Sequence, residues 1–261
     1  MTRHSTTTVA ATESGPARFN RWITCPFPNP AAELRLFCLP FAGGGASVFR
    51  GWGQALPARV ELCPVQLPGR ENRLSDPLFT EMGALTEALA AEILPFTDKP
   101  FALFGHSMGA LVSFELTRAL RRLGAPLPTM LFLSAHRAPH LPLRRRPLIG
   151  LDQAEFLEAV RSFGGTPGDV FAHPELVEII LPILRADLAL CDGYRFTPDA
   201  ALPCPFVLYA GRQDSEVDPA EIEAWNEHTS HGARLRIFPG DHFFLRSDRA
   251  LLLRAMASAL A

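Results

Sequence analysis

Six short and nearly continuous apolar runs, each separated from the next by a longer stretch of helical periodicity, constrain this chain more than any other feature. The runs are Leu34 to Leu39, Val60 to Leu67, Phe101 to Phe104, Met130 to Ser134, Phe206 to Ala210 and Leu235 to Phe238. Strands that are apolar throughout are buried on both faces, and their alternation with helices is the pattern of a mostly parallel sheet flanked by helices. The expected fold class is therefore α/β. Met108, Leu111, Val112, Leu116, Ala119, Leu120 and Leu123 recur at helical spacing and meet a stop at Gly124 and Pro126. Further helices are expected over Thr80 to Leu94, from the capping box Asp218 to Glu221 with Pro219 at the first helical position, and from about Ser247 to Leu260.

The stretch between the Met130 and Phe206 runs is too long for an ordinary connection and needs structure of its own. Leu151 to Phe163 and Pro174 to Leu190 have helical spacing, with a kink expected at Pro182. An inserted helical lid over about residues 137–200 is expected to cover the carboxyl ends of the strands; an insertion that only packs on the core is the alternative. With 261 residues, 48% of them hydrophobic, residues 21–261 suffice for one domain with a full core. Residues 1–20 read as a mobile tail, and Met1 to Ala17 lacks the apolar block of a secretory signal.

A net charge of −2 gives no broad basic field, so nucleic acid is not an expected partner, and no apolar run is long enough to span a bilayer. Cys25, Cys38, Cys63, Cys191 and Cys204 contain no Cys-x-x-Cys pair and lie mostly in apolar surroundings. They fit reduced core thiols in a cytoplasmic protein rather than a disulfide framework or a zinc site.

One strand-like run, Phe101 to Phe104, leads straight into Gly105-His106-Ser107-Met108-Gly109 and then into the strongest helix. Gly-x-Ser-x-Gly alone is a weak signal, and a chance glycine-rich turn is the bland reading. With a strand before it and a helix after it, the motif is a nucleophile elbow that exposes the Ser107 hydroxyl beside a helix N-terminus.

A serine hydroxyl needs a histidine base, and that imidazole needs a carboxylate to fix its tautomer. Asp214 follows the strand Phe206 to Ala210, which places a carboxylate on the loop at a strand's carboxyl end; capping a helix is its bland role. Asp187 and Asp192 fall in the lid, Glu216 and Asp218 lie farther from the strand, and Asp241 abuts the expected base. That base is His242, after the last strand, with His136 at the end of the fourth strand as its rival; His106 should point away from the nucleophile.

Acyl transfer also needs donors aimed at the oxyanion. One is the Met108 N–H. The other is expected from the loop Pro40 to Ser47, at Ala42, with Phe41 as the competing donor. The glycines of that loop match neither a phosphate loop nor a dinucleotide fingerprint, so neither cofactor nor metal is expected. On spacing alone the chain reads as a serine acyl hydrolase.

Five separate blocks extend that reading: Leu39 to Trp52, Gln66 to Arg73, Gly105 to Ala110, Gly211 to Asp214 and Gly240 to Leu245. Together they resemble the type II, or editing, thioesterases of polyketide and nonribosomal peptide synthases, with a likeness running from about Trp22 to Leu260. The resemblance implies an α/β-hydrolase fold with a lid, and a monomer that removes stalled or aberrant acyl groups from the phosphopantetheine arm of acyl or peptidyl carrier proteins. A carboxylesterase or acyltransferase with the same triad, or a non-catalytic protein that binds carriers, are the competing readings. Arg144 to Arg146 could meet an acidic carrier helix, although a solvated basic loop is the simpler account. The arginines of Pro68 to Arg73 could likewise form a rim for the pantetheine arm or simply fix a loop.

Overall fold

A computed structural model describes residues 19–261. The expected tail falls almost wholly outside the described residues, and its last two members are anchored. Phe19 stacks on Phe96 with ring centroids 5.5 Å apart, and the Asn20 side chain accepts from the Trp22 and Ile23 N–H groups at 2.9 and 2.8 Å.

The six runs form six strands: β1 (Leu34–Leu39), β2 (Val60–Pro64), β3 (Phe101–His106), β4 (Met130–Ser134), β5 (Phe206–Gly211) and β6 (Ala233–Phe238). They pair in the order β2-β1-β3-β4-β5-β6, every pair parallel. β2 ends three residues earlier than its apolar run, because the chain turns at Val65 to make an antiparallel bridge with Ile23. Period-two alternation divides the strand side chains between two cores. Phe37, Leu39, Leu103 and Leu131 face one with Trp225 and Leu116; Leu36, Cys38, Phe104 and Phe132 face the other with Trp52 and Met256.

Helices cover both faces: α1 (Met82–Ile93), α2 (Met108–Arg122), α3 (Gln153–Phe163), α4 (Pro174–Asp192), α5 (Pro219–Glu223), α6 (Phe244–Ser247) and α7 (Arg249–Ala259). α2 stops before Gly124, which takes φ +64°, and α5 starts on the expected box, with the Asp218 N–H donating to Glu221 at 2.9 Å. The expected last helix forms as α7, and Asp248, its φ of −112° lying outside the helical range, separates it from the short α6 before it. α3 and α4 fill the long stretch between β4 and β5, and α4 continues through Pro182. They share a small apolar core of Phe156, Val160, Leu184 and Leu188, to which Ala42 also packs. The lid is thereby joined to the loop after β1.

From β1 the chain moves outward to β2 and then returns to β3 on the other side, so the strand order reverses between β1 and β3. In an open α/β sheet that reversal opens a crevice at the carboxyl ends of the strands. The loop Pro40 to Ser47 and the start of α2 flank it. Their approach depends on absent side chains: a Cβ on Gly105 would overlap the Gly109 carbonyl, and one on Gly109 would overlap the Leu39 carbonyl. Backbone cannot move aside as a flexible side chain can, so Gly105→Ala or Gly109→Ala should cost about 3 kcal/mol or more. Gly83, in the first turn of α1, has open space around its Cβ position, and Gly83→Ala should stabilise by about 0.5 to 1 kcal/mol. Urea unfolding of the three variants checks both the loss and the gain.

Candidate active site

Ser107 sits between β3 and α2 with φ +53° and ψ −120°, a conformation that costs an L-residue about 1 to 3 kcal/mol. Its N–H continues the strand ladder by donating to the Ser134 carbonyl at 2.8 Å, while the Ala110 N–H returns to its own carbonyl at 2.9 Å. The elbow is held from both sides. His242 Nε2 lies 3.0 Å from Ser107 Oγ, and His242 Nδ1 lies 2.8 Å from Asp214 Oδ2. The Asp214 side chain is fully buried, and its second oxygen accepts from the Glu216 and Val217 N–H groups at 2.9 and 3.2 Å. Asp214 thus orders its own loop with one oxygen and faces the imidazole with the other.

The acid and base loops are tied directly to each other. Gln213 N–H donates to the Gly240 carbonyl at 2.8 Å, and Gly211 lacks the Cβ that would collide with the Asp241 carbonyl. His106 points away from the nucleophile, as expected, and makes a link the sequence did not suggest. Its Nδ1 lies 2.9 Å from Ser134 Oγ and its Nε2 lies 2.9 Å from the His242 carbonyl. A fully buried imidazole therefore fixes the base loop against β4. His136 does not enter the relay: its Nδ1 donates to the Arg137 carbonyl at 2.7 Å, although its side chain lines the cavity beside Ser107.

Among the described residues, neither the Met108 nor the Ala42 N–H has a protein acceptor, nor does that of Phe41. Phe41 to Gly44 form a turn in which the Gly44 N–H donates to the Phe41 carbonyl at 2.9 Å and Gly43 takes φ +79°. Those are the marks of a type II turn. Because the Phe41 carbonyl is engaged on one side of a trans peptide, the Ala42 N–H of the same peptide points to the other. The Ala42 N–H therefore faces away from the turn's own hydrogen bond.

A cavity of about 300 Å³ lies over Ser107, walled by Phe41, Val160, Phe163, Leu184 and Phe243, with Arg137, Arg145 and Glu216 on its rim. A second, of about 460 Å³, adjoins it across Phe41, Ala42 and Leu184. α4 supplies wall residues to both cavities and α3 to the first, so the segment between β4 and β5 faces these cavities as well as packing on the core. Arg144 and Arg145 are met within the chain, by Asp218 at 2.6 Å and Asp192 at 2.8 Å, which favours a fixed loop over a docking patch. Arg70 likewise makes two bonds to Asp187, at 2.5 and 2.8 Å, with both side chains buried. Removing one partner of such a pair costs about 3 to 5 kcal/mol, because the other charge is left stranded.

Comparisons with known proteins bear on the family and the fold. The family model for the thioesterase domain matches residues 34–259. Linear gramicidin dehydrogenase LgrE of Brevibacillus parabrevis is 41% identical over 244 residues, covering 92% of this chain and 93% of its own. The thioesterase RedJ from the prodiginine pathway of Streptomyces coelicolor superposes with a TM-score of 0.82 at 39% identity, over 89% of this chain and 96% of that one. The type II thioesterase BorB from the borrelidin cluster does so with a TM-score of 0.80 at 33% identity, over 91% and 95%. The fold shared with these neighbours is that of the α/β-hydrolases.

Burial has an electrostatic consequence around the relay. Desolvation pushes the His106 pKa well below 6.5 and that of His136 down to about 3. Both rings are neutral at pH 7. As pH falls below 6.5 the unfolded chain protonates His136, whereas the folded chain does not until about pH 3, so stability is lost across that window. At pH 5 the loss from this ring should be about 2 kcal/mol. His136→Asn should remove about that much of the stability difference between pH 7 and pH 5, as read by urea unfolding at the two values.

Proposed function

The chain belongs to the thioesterase family, and from that we propose that it hydrolyses acyl thioesters on the phosphopantetheine arm of carrier proteins, with Ser107 as nucleophile. The observation that carries the assignment of roles is the imidazole of His242, which has Ser107 Oγ on one nitrogen and the buried Asp214 carboxylate on the other. Ser107 Oγ attacks the thioester carbonyl while His242 Nε2 accepts its proton. Asp214 stabilises the imidazolium so formed, and the Met108 and Ala42 N–H groups receive the oxyanion. When the intermediate collapses, the C–S bond breaks and the proton on His242 passes to the departing thiolate. Water then attacks the acyl-serine, giving its proton to His242, and collapse of the second intermediate returns that proton to Ser107 and releases the carboxylic acid.

The relatives' names place them in gramicidin, prodiginine and borrelidin biosynthesis. On that basis we assign the carriers to a peptide or polyketide assembly line, where removing a stalled acyl group restores a blocked thiol. The walls of the first cavity suit a short or medium apolar chain. Such walls discriminate neighbouring chain lengths by only about 1 to 3 kcal/mol, which fits an editing role across several acyl groups. The dehydrogenase in one relative's name does not carry over. The glycines of Pro40 to Ser47 lack the Gly-x-Gly-x-x-Gly spacing that a dinucleotide pyrophosphate needs.

Ser107→Ala and His242→Ala should lower kcat on acylated carrier protein about 10⁴-fold or more, and Asp214→Asn less. Mass spectrometry of the carrier reads the remaining acyl load. Comparing kcat/KM for acyl-carrier, acyl-CoA and nitrophenyl ester substrates tests the leaving group, and turnover confined to the oxygen ester would overturn the thioester assignment. A folded enzyme in which Ser107 takes no label from a fluorophosphonate would overturn the nucleophile.

A further inference from the structure

Asp187 was set aside in the sequence as an acid of the lid, and in the structure it reaches the loop that carries the oxyanion donor. Its Oδ2 accepts from the Gly43 N–H at 2.7 Å and from Arg70 Nη1 at 2.5 Å, while Oδ1 takes Arg70 Nη2 at 2.8 Å. Arg70 continues inward, with Nη1 donating to the Gly44 carbonyl at 3.3 Å and Nε to the Pro68 carbonyl at 3.0 Å. Both ends of the Gly43–Gly44 segment are therefore held by one ion pair. Asp187 is 2% exposed and Arg70 5%, so water does not compete for either.

The bond to Gly43 selects one form of the turn. The central peptide of a four-residue turn can flip, which exchanges type II for type I and reverses its N–H. Gly43 at φ +79° is in the type II form, with its N–H on the side of α4. Asp187 is the acceptor that holds it there, and Leu184, one turn earlier on the same helix, packs against Gly43, whose Cβ position is 2.7 Å from Leu184 Cδ2. The Phe41–Gly44 bond is common to both forms and sets the direction of the Ala42 N–H within the turn. What Asp187 and Arg70 add is to hold the Gly43–Gly44 segment in place, and Ala42, the residue before it, would move with that segment if they let go.

We propose that Asp187 is a positioning residue for the oxyanion hole, so that docking of lid helix α4 and arming of the Ala42 donor are one event. The proposal rests on the assignment of Ser107 as nucleophile and Ala42 as donor. With α4 lifted, Gly43 loses its acceptor, the turn relaxes, and the site holds a nucleophile but only one aimed donor. Hydrolysis is then confined to substrates over which the lid can close.

The test separates transition-state from ground-state binding. A trifluoromethyl ketone analogue of an acyl-pantetheine forms a tetrahedral adduct with a nucleophilic serine and needs the oxyanion donors; the matching thioether does not. Asp187→Ala should lower kcat and weaken the trifluoromethyl ketone by about 100- to 1000-fold, the scale of losing one oxyanion donor, while thioether affinity stays within about 3-fold. Asp187→Asn with Arg70→Gln keeps an acceptor for Gly43 without a stranded charge, and should recover about tenfold or more of that loss. Equal losses for the two ligands, or a folded Asp187→Ala enzyme with wild-type kcat, would overturn the proposal. If Asp187→Ala does not fold, the double variant decides: ketone affinity reduced no more than thioether affinity supports the role, and ketone affinity reduced to the single-donor level overturns it. Failure of the underlying assignment is seen separately, as trifluoromethyl ketone inhibition that survives Ser107→Ala.

Discussion

The structure depends on a contact made by backbone alone. Gly109, in the first turn of α2, lies against the carbonyls of Leu39 and Pro40 at the end of β1, and Gly105 lies against Gly109. This approach fixes the distance between the start of α2 and the start of the Pro40 to Ser47 loop. Ser107 and Met108 belong to one of those elements and Ala42 to the other. The spacing of Ser107 and Met108 from Ala42 is thus set by how closely a helix can pass a strand, before any side chain is considered. Everything later in the chain is fitted to that frame: the acid and base loops join each other through Gly211 and Gln213, and His106 ties the result to β4.

Charge is used sparingly around this frame. The rings of His106 and His136 are kept neutral by burial, while the buried Arg70–Asp187 ion pair that touches the Pro40 to Ser47 loop spans two separate parts of the chain. A pair of this kind adds little net stability compared with apolar side chains, since desolvation offsets its attraction. Its value lies in direction, because a bidentate arginine and carboxylate meet in one geometry only. Arg70 and Asp187 therefore align the lid with the loop in a way that the apolar contacts of Leu184 and Val160, which lack direction, cannot.

What was legible in the sequence is what depends on local order. Ser107 was readable because strand, glycines and helix adjoin it, and Asp214 and His242 because each follows a strand closely. Ala42 was readable only as one of two candidate donors, since the orientation of its peptide depends on the bond from Gly44 to Phe41. Asp187 was not readable, since its partners Gly43 and Arg70 are 144 and 117 positions away. The same distance in sequence hid the His106 bridge to His242, and it hid the acids that meet Arg144 and Arg145. Local pattern also overran at one end, where Val65 left the sheet for Ile23.

The all-parallel strand order has a kinetic consequence for how this protein acquires function. Parallel pairs cannot close through tight hairpins, and β1 must wait for β3 to be made before its second edge is filled. Loops after β1, β3, β5 and β6 each contribute to the site, and β6 is the last strand of the chain. A polypeptide still emerging during synthesis can therefore complete the turn at Ser107 long before it has His242. Sheets dominated by such distant pairings fold slowly, and the catalytic set is assembled only when β6 docks on β5. Recovery of turnover during refolding would thus follow the final step of sheet closure, not the collapse of the core.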